Sequence, residues 1–300
     1  MDDRHLHALI GERHPTSSPT ALRRAEDYLA DQFKMFGLEV SLHPFRALGG
    51  MYCNIIGTMR SQKEDNPRSK EGPSPSPLLI AAHYDTVIGS PGADDNASAL
   101  AVMLEVAHNL RAIQLIREVR FIAFCLEEED LLGSLAYVSS LKNAGCEIAG
   151  AIVLECVGYT SAAEGSQQKP PGLPIALPTV GDFLGIVGNA SSVSLVRSIE
   201  SAVKQATPAL KIVSLVVPGN GELLPDTRRS DHAAFWHYGY PAVMLTDTAN
   251  FRNPHYHHPT DRLDTLDLNF MNKVAQAVTA VAIRLCKAIP SSPESPQSTP

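Results

Sequence analysis

The chain has no run of eighteen apolar residues, no cluster of Lys and Arg, and no CxxC pair. Each absence excludes something. A helix needs about 20 predominantly apolar residues to cross a bilayer, so no transmembrane span is expected. With a net charge of −7 and only 19% charged residues, the electrostatics favour neither nucleic acid nor an anionic membrane as partner. The start, MDDRHLHALIGERHPTSS, opens acidic and lacks the apolar core of a secretory signal, so a cytoplasmic protein is expected. The five cysteines (53, 125, 146, 156 and 286) are odd in number and lack metal-type spacing. Cys125, Cys156 and Cys286 sit in apolar runs and read as small buried thiols of a reducing compartment. HExxH, GxSxG and GxxxxGK[ST] are missing too, which removes the zincin, serine-hydrolase and P-loop signatures.

What is present is enough apolar content, 44% of 300 residues, for a full-sized core. Leu22, Ala25, Leu29, Phe33 and Phe36 make one helical stripe that stops at Gly37. LEVSLHPF and YCNIIGTM read as a strand pair around the turn-like ALGG. PLLIAAH is a continuous apolar run of the kind buried on both faces of a parallel sheet. SALAVMLEVAHNLRAI reads as a helix and REVRFIAFC as a strand. GAIVLECVGY, DFLGIVGN, IVSLVV and PAVMLTD are further strands, SVSLVRSIESAVKQA is a helix, and LDLNFMNKVAQAVTAVAIRLCKAI is a long closing helix. Strands alternating with helices predict an α/β three-layer sandwich, a twisted, mixed but largely parallel sheet with helices on both faces. One domain is expected over residues 1–289. Mobile loops are expected near 61–77 and 160–180, with a disordered tail at 290–300.

In open α/β sheets ligands bind at the carboxyl ends of the strands. His83 follows LLIAA, Glu127 to Glu129 follow FIAFCL, and Glu155 follows AIVL. His257 lies beyond PAVMLTD in NPHYHHPTD, and Asp94–Asp95 lie on the way from the His83 strand to the next helix. Each has an ordinary explanation alone: acidic groups suit a helix start, and an Asp can cap one. Together, imidazoles and carboxylates at strand ends are a donor set for zinc or a similar divalent ion. Glu155 stands inside an apolar segment, where an unpaired carboxylate is costly. Asp94 and Asp95 both remain candidates at this point, as do the three imidazoles of HYHH.

HYDTVIGSPGADDNASA, EEEDLLGS, LECVGY and RRSDHAAFWHYGYPAVMLTDTANFRNPHYHHPTDRLDTLD resemble the co-catalytic di-zinc aminopeptidases, the exopeptidases typified by bacterial leucyl aminopeptidases. The likeness runs from about residue 5 to residue 288, with the motifs in family order. It implies two Zn²⁺, or other divalent metals, bridged by Asp95, with His83 and Glu155 completing one ion and Glu128 and His257 the other. It also implies a cis peptide after Asp95, and Glu127 as the general base for a metal-bridged water. Asp85 is expected to accept the second ring N–H of His83, since alternate residues of an extended segment share a side. The RRSDHAAFW segment is expected to border the pocket, with Asp231 and His232 as substrate-binding candidates. The implied partner is a peptide with a free N-terminus. Departures from the family pattern are Glu155 for a frequent Asp, Ala99 and Asp130 for usual glycines, and His258 for Thr or Ser. A glutaminyl-cyclase-like enzyme with a single zinc and a non-catalytic binding module of the same fold are the competing expectations.

Overall fold

The computed structural model describes residues 3–61 and 75–287. Most of the expected loop at 61–77 and the tail at 290–300 lie outside the described residues. The strands are β1 (Glu39–Ala47), β2 (Gly50–Met59), β3 (Leu78–His83), β4 (Val119–Phe124), β5 (Gly150–Glu155), β6 (Phe183–Asn189), β7 (Lys211–Val217) and β8 (Ala242–Thr246). They form one sheet in the order β1-β2-β4-β3-β5-β8-β6-β7. The neighbours β4, β3, β5 and β8 all run parallel. β2 is antiparallel to β4, and the parallel pair β6–β7 joins β8 antiparallel. The β1–β2 hairpin turns on Leu48 and Gly49, at φ 48° and 74°, as a tight two-residue connection requires.

The described helices are α1 (Arg4–Leu9), α2 (Pro19–Met35), α3 (Ala99–Leu110), α4 (Leu132–Asn143), α5 (Val193–Ala206), α6 (His232–His237) and α7 (Leu268–Cys286). β3 and β5 are buried at every position, as strands covered on both faces must be. Their residues alternate between two cores. Leu78, Ile80 and Ala82 face the layer containing α1, α2, α3, α5 and α7, while Leu79 and Ala81 face the layer containing α4 and α6. The stripe expected on α2 is seated there, with Leu29 and Phe33 fully enclosed. Each such side chain contributes roughly 1.5–3 kcal/mol by leaving water. The expected three-layer sandwich is the architecture observed.

Two local devices fix the rim that follows. Asn54 on β2 accepts from Cys125 N (3.0 Å) and donates to Gly133 O (2.8 Å), tying the end of β4 to the start of α4. A Cβ on Gly133 would lie 2.0 Å from Cys125 O, so only glycine permits this approach. Between these anchors lie Glu127 and Glu128. The chain there passes through left-handed backbone at Asp130 and Leu131, φ 58° and 62°. Asp130 there takes a left-handed conformation that Asp adopts more readily than most residues.

Candidate metal centre

The expected donors do meet at one rim. His83 ends β3 and Glu155 ends β5. Glu127 and Glu128 follow β4, and Asp95 sits in the segment Ala93–Ser98 that leads into α3. The Asp95–Asn96 peptide is cis. His83 Nε2 lies 3.2 Å from Asp95 Oδ1 and 3.4 Å from Glu155 Oε2. The other oxygen of Asp95 lies 3.0 Å from His257 Nε2, which is 3.3 Å from Glu128 Oε2. Two donor sets therefore share Asp95: His83–Asp95–Glu155 and Asp95–Glu128–His257, each with its donor atoms within 4.8 Å of one another. Glu127 Oε2 stands 3.8 Å from His83 Nε2, beside the first set.

The geometry separates the alternatives that were open in the sequence. Asp94 turns away from the two imidazoles, accepting from Gly158 N (2.8 Å) and Asn253 Nδ2 (2.7 Å). In HYHH, His255 pairs with Thr260 Oγ1 (3.0 Å) and His258 is exposed, so His257 alone turns inward. Its ring stacks on Tyr256, with centroids 3.8 Å apart.

Several further side chains hold these donors in place, among them the expected Asp85. Asp261 accepts from the successive amides of Asp94 (2.9 Å) and Asp95 (3.2 Å). Asp85 does the same for Glu127 and Glu128, at 3.1 Å each. Two buried carboxylates thus grip two ligand-bearing loops by their backbones. Asp85 Oδ1 is also 3.6 Å from His83 Nδ1, beyond hydrogen-bond length, so the amides are its closer partners. Ser230 Oγ donates to Glu155 Oε2 at 2.7 Å. Asn96 bridges Leu154 O and Cys156 N on either side of Glu155.

Charge explains what the site is built to take. Asp85, Asp94, Asp95, Glu127, Glu155, Asp231 and Asp261 are all buried around His83 and His257. Burial opposes protonating His83, yet Glu127, Glu155, Asp85 and Asp95 raise it well above the ordinary imidazole range. Against burial, Asp95 and Glu128 push His257 up to about 10. Burial, reinforced by Asp95, pushes Glu128 up to about 7, and burial drives Glu127 well above the usual carboxylate range. Such a concentration of negative charge is stable only with protons or cations among it. Both ring nitrogens of His83, Asp95 Oδ1, Glu128 Oε1 and His257 Nε2 are buried without a hydrogen-bond partner. Apart from His83 Nδ1, which faces Asp85, these unpaired nitrogen and oxygen atoms belong to the two donor sets and fit a divalent metal such as zinc.

Asp231 and His232 need correction as residues that touch substrate, because neither has exposed surface. His232 Nε2 donates to Thr227 O (2.8 Å), its ring meets the Trp236 ring edge-on, and burial lowers it to about 4. Asp231 lies behind the centre, raised to about 7 by burial, with both oxygens unpartnered. Of that segment only Arg229 lines a pocket, together with Asp226 and Thr227 just ahead of it. That pocket opens beside Glu155 and is walled by Leu173, Ile175, Phe183, Leu215, Met244 and Tyr256. Segment 160–180 supplies part of the wall without helix or strand. Gln167 fastens it, donating to Thr248 Oγ1 (2.9 Å) and accepting from Arg252 Nε (3.0 Å).

Among the described residues no helix is long and apolar enough to cross a membrane. The uncharacterized protein YfbL of Escherichia coli K12 is 33% identical over 282 residues, covering 88% of this chain and 81% of that protein. Probable leucine aminopeptidase 1 of Trichophyton verrucosum is 28% identical over 234 residues, and the match spans 72% of this chain but only 56% of that protein. Among solved structures, the LapA aminopeptidase of Legionella pneumophila superposes with a TM-score of 0.72 at 17% identity, over 95% of this chain and 71% of that one. BSAP, a zinc aminopeptidase from Bacillus subtilis, gives 0.60 at 26% identity, over 82% and 53%. The Porphyromonas gingivalis glutaminyl cyclase gives 0.66 at 20% identity, over 94% and 95%. Residues 54–282 match the model of peptidase family M28. By that match, and by its likeness to YfbL over most of its length, the chain belongs to peptidase family M28.

Proposed function

We propose that this chain is a cytoplasmic, zinc-dependent aminopeptidase that removes apolar residues from the N-termini of peptides. The observation that carries the reading is Asp95, whose two oxygens face two different imidazoles. In this reading His83, Asp95 and Glu155 hold one ion, and Asp95, Glu128 and His257 hold a second. Ions held there supply Lewis acidity toward the scissile carbonyl and lower the pKa of a nearby water. Glu127 takes the proton from the attacking water and later delivers it to the leaving amine. Its burial suits it to hold that proton between the two steps. Asp85 and Asp261 keep the donor loops in register through their amides. Carboxylates at the rim receive the substrate's α-ammonium group, and the pocket beside Glu155 receives the first side chain. Five free cysteines and no disulfide fit a reducing compartment.

A panel of aminoacyl anilides tests this. Leu, Met and Phe anilides should be cleaved faster than Asp or Lys anilides. Chelator should stop cleavage, zinc should restore it, and N-acetylation should abolish it. Equal cleavage of free and acetylated substrates would make the enzyme a different amidohydrolase. The cyclase reading draws on the end-to-end match with the Porphyromonas gingivalis fold, at an identity that speaks for fold alone. It requires one metal ion rather than two, so stoichiometry separates the readings.

A further inference from the structure

Arg13 lies ahead of the family-matched region, yet its side chain is 2% exposed and packed directly behind the metal centre. Among the described residues it makes no salt bridge within 4.0 Å; its side-chain partners are backbone carbonyls. Nε donates to Tyr84 O (2.7 Å), Nη2 to Gly92 O (3.2 Å), and Nη1 to Gly11 O (2.7 Å), Pro91 O (3.2 Å) and Leu9 O. Its own amide donates to Thr86 Oγ1 at 2.9 Å. Tyr84 and Thr86 flank Asp85 and follow His83, while Gly92 opens the turn that ends in Asp95. One planar fork therefore joins two loops that carry donors of both sets. Gly92, at φ +61°, lets the fork in: a Cβ there would come within 3.0 Å of Arg13 Nη2 and 2.4 Å of Asp95 O.

The neighbours of Arg13 reinforce the arrangement. Gly11 N donates to Pro91 O (2.8 Å), and the Glu12 carboxylate accepts from Gly89 N (2.9 Å). His14 Nε2 stands 3.4 Å from Glu129 Oε1, next to Glu128. The opposite charges that act on the guanidinium are those of Asp85, Asp95, Asp261 and Glu128, which are two donors and the two carboxylates that grip the donor loops. A fixed cation among them lowers the cost of keeping them ionised. A lysine, with one compact ammonium, cannot span the two loops as the fork does.

We infer that Arg13 is a positioning residue of the metal centre, setting the distance between the His83 and Asp95 loops and thereby zinc affinity and turnover, so that the segment Leu9–His14 works as part of the site. The inference rests on the proposed metal site. Arg13→Lys keeps the charge and loses the fork. It should stay folded by circular dichroism, bind zinc about 10–100-fold more weakly in chelator competition, and lose kcat with KM within about twofold. Arg13→Gln, which also loses the charge, should bind zinc more weakly still. Wild-type protein gives an independent readout by hydrogen exchange. The amides of Gly11 and Arg13 should gain protection on zinc loading although neither residue is a ligand. Folded Arg13→Lys with wild-type zinc affinity and kcat would overturn the inference, and so would unchanged exchange at residues 9–14 while residues 84–96 gain protection. If Arg13→Lys does not fold, the exchange result decides. If the wild-type protein binds no zinc, the metal reading itself fails and this inference fails with it.

Discussion

Glu127 and Glu128 are adjacent in sequence, each donating its backbone N–H to the Asp85 carboxylate, and yet they stand in different places: Glu128 against His257, Glu127 against His83. The division of labour proposed for them is testable one residue at a time. Glu127→Gln should reduce kcat by about 10²–10⁴, the usual cost of losing a general base, while zinc content stays at the wild-type level. Rapid turnover by that variant would move the proton transfer to another group. At this scale the sequence was informative wherever chemistry was concentrated. A carboxylate inside the apolar run AIVLE has no cheap structural role, and Glu155 does lie within the donor set. Asp94 and Asp95 were not separable by composition, because their difference lies in which way each side chain turns, and that depends on partners 64 and 159 residues away in Gly158 and Asn253. Asp231 and His232 were placed at the substrate by their company in sequence, whereas folding puts them beneath the surface and leaves Arg229, with the preceding Asp226 and Thr227, to line the pocket.

At the scale of elements, strands and long helices were legible and short or weakly patterned helices were not. β3 and β5 announce themselves as uninterrupted apolar runs, and α2 and α7 as stripes. α4 buries Gly133, Ser134, Tyr137, Val138 and Leu141, and two of these five have no apolar side chain, so its stripe fades in the sequence. α1 and α6 are six residues each, too short for periodicity to speak. α4 nonetheless matters for the site, because its first turn closes the loop that presents Glu127 and Glu128. Gly133→Ala would force a methyl against Cys125 O and Asn54 Oδ1. Overpacking of this kind costs about 1–3 kcal/mol, and here it should also shift that loop. Denaturant unfolding should show the loss in stability, and kcat should fall by more than the folded fraction does. A variant as stable and active as wild type would mean the α4 start adjusts freely and does not set the loop.

Across the whole molecule, the parallel centre of the sheet brings the carboxyl ends of β3, β4, β5 and β8 to one rim, and the reversed pair β6–β7 meets that rim with its amino ends. The first arrangement makes the donor cluster and the second makes the apolar wall beside it, from Phe183, Gly185, Val213 and Leu215. That juxtaposition was only half legible. Strand ends rich in His, Asp and Glu point to a metal rim, but nothing in DFLGIVGN or IVSLVV tells which direction those strands run. The proposed two-ion rim depends on the shared Asp95. Calorimetric titration of zinc into chelator-stripped protein, with aminopeptidase activity followed on the same samples, tests it most directly. Two equivalents should bind per chain in wild type and both should be lost from Asp95→Ala, with full activity reached only at the second equivalent. A single equivalent that restores full activity, or two equivalents retained by Asp95→Ala, would contradict it.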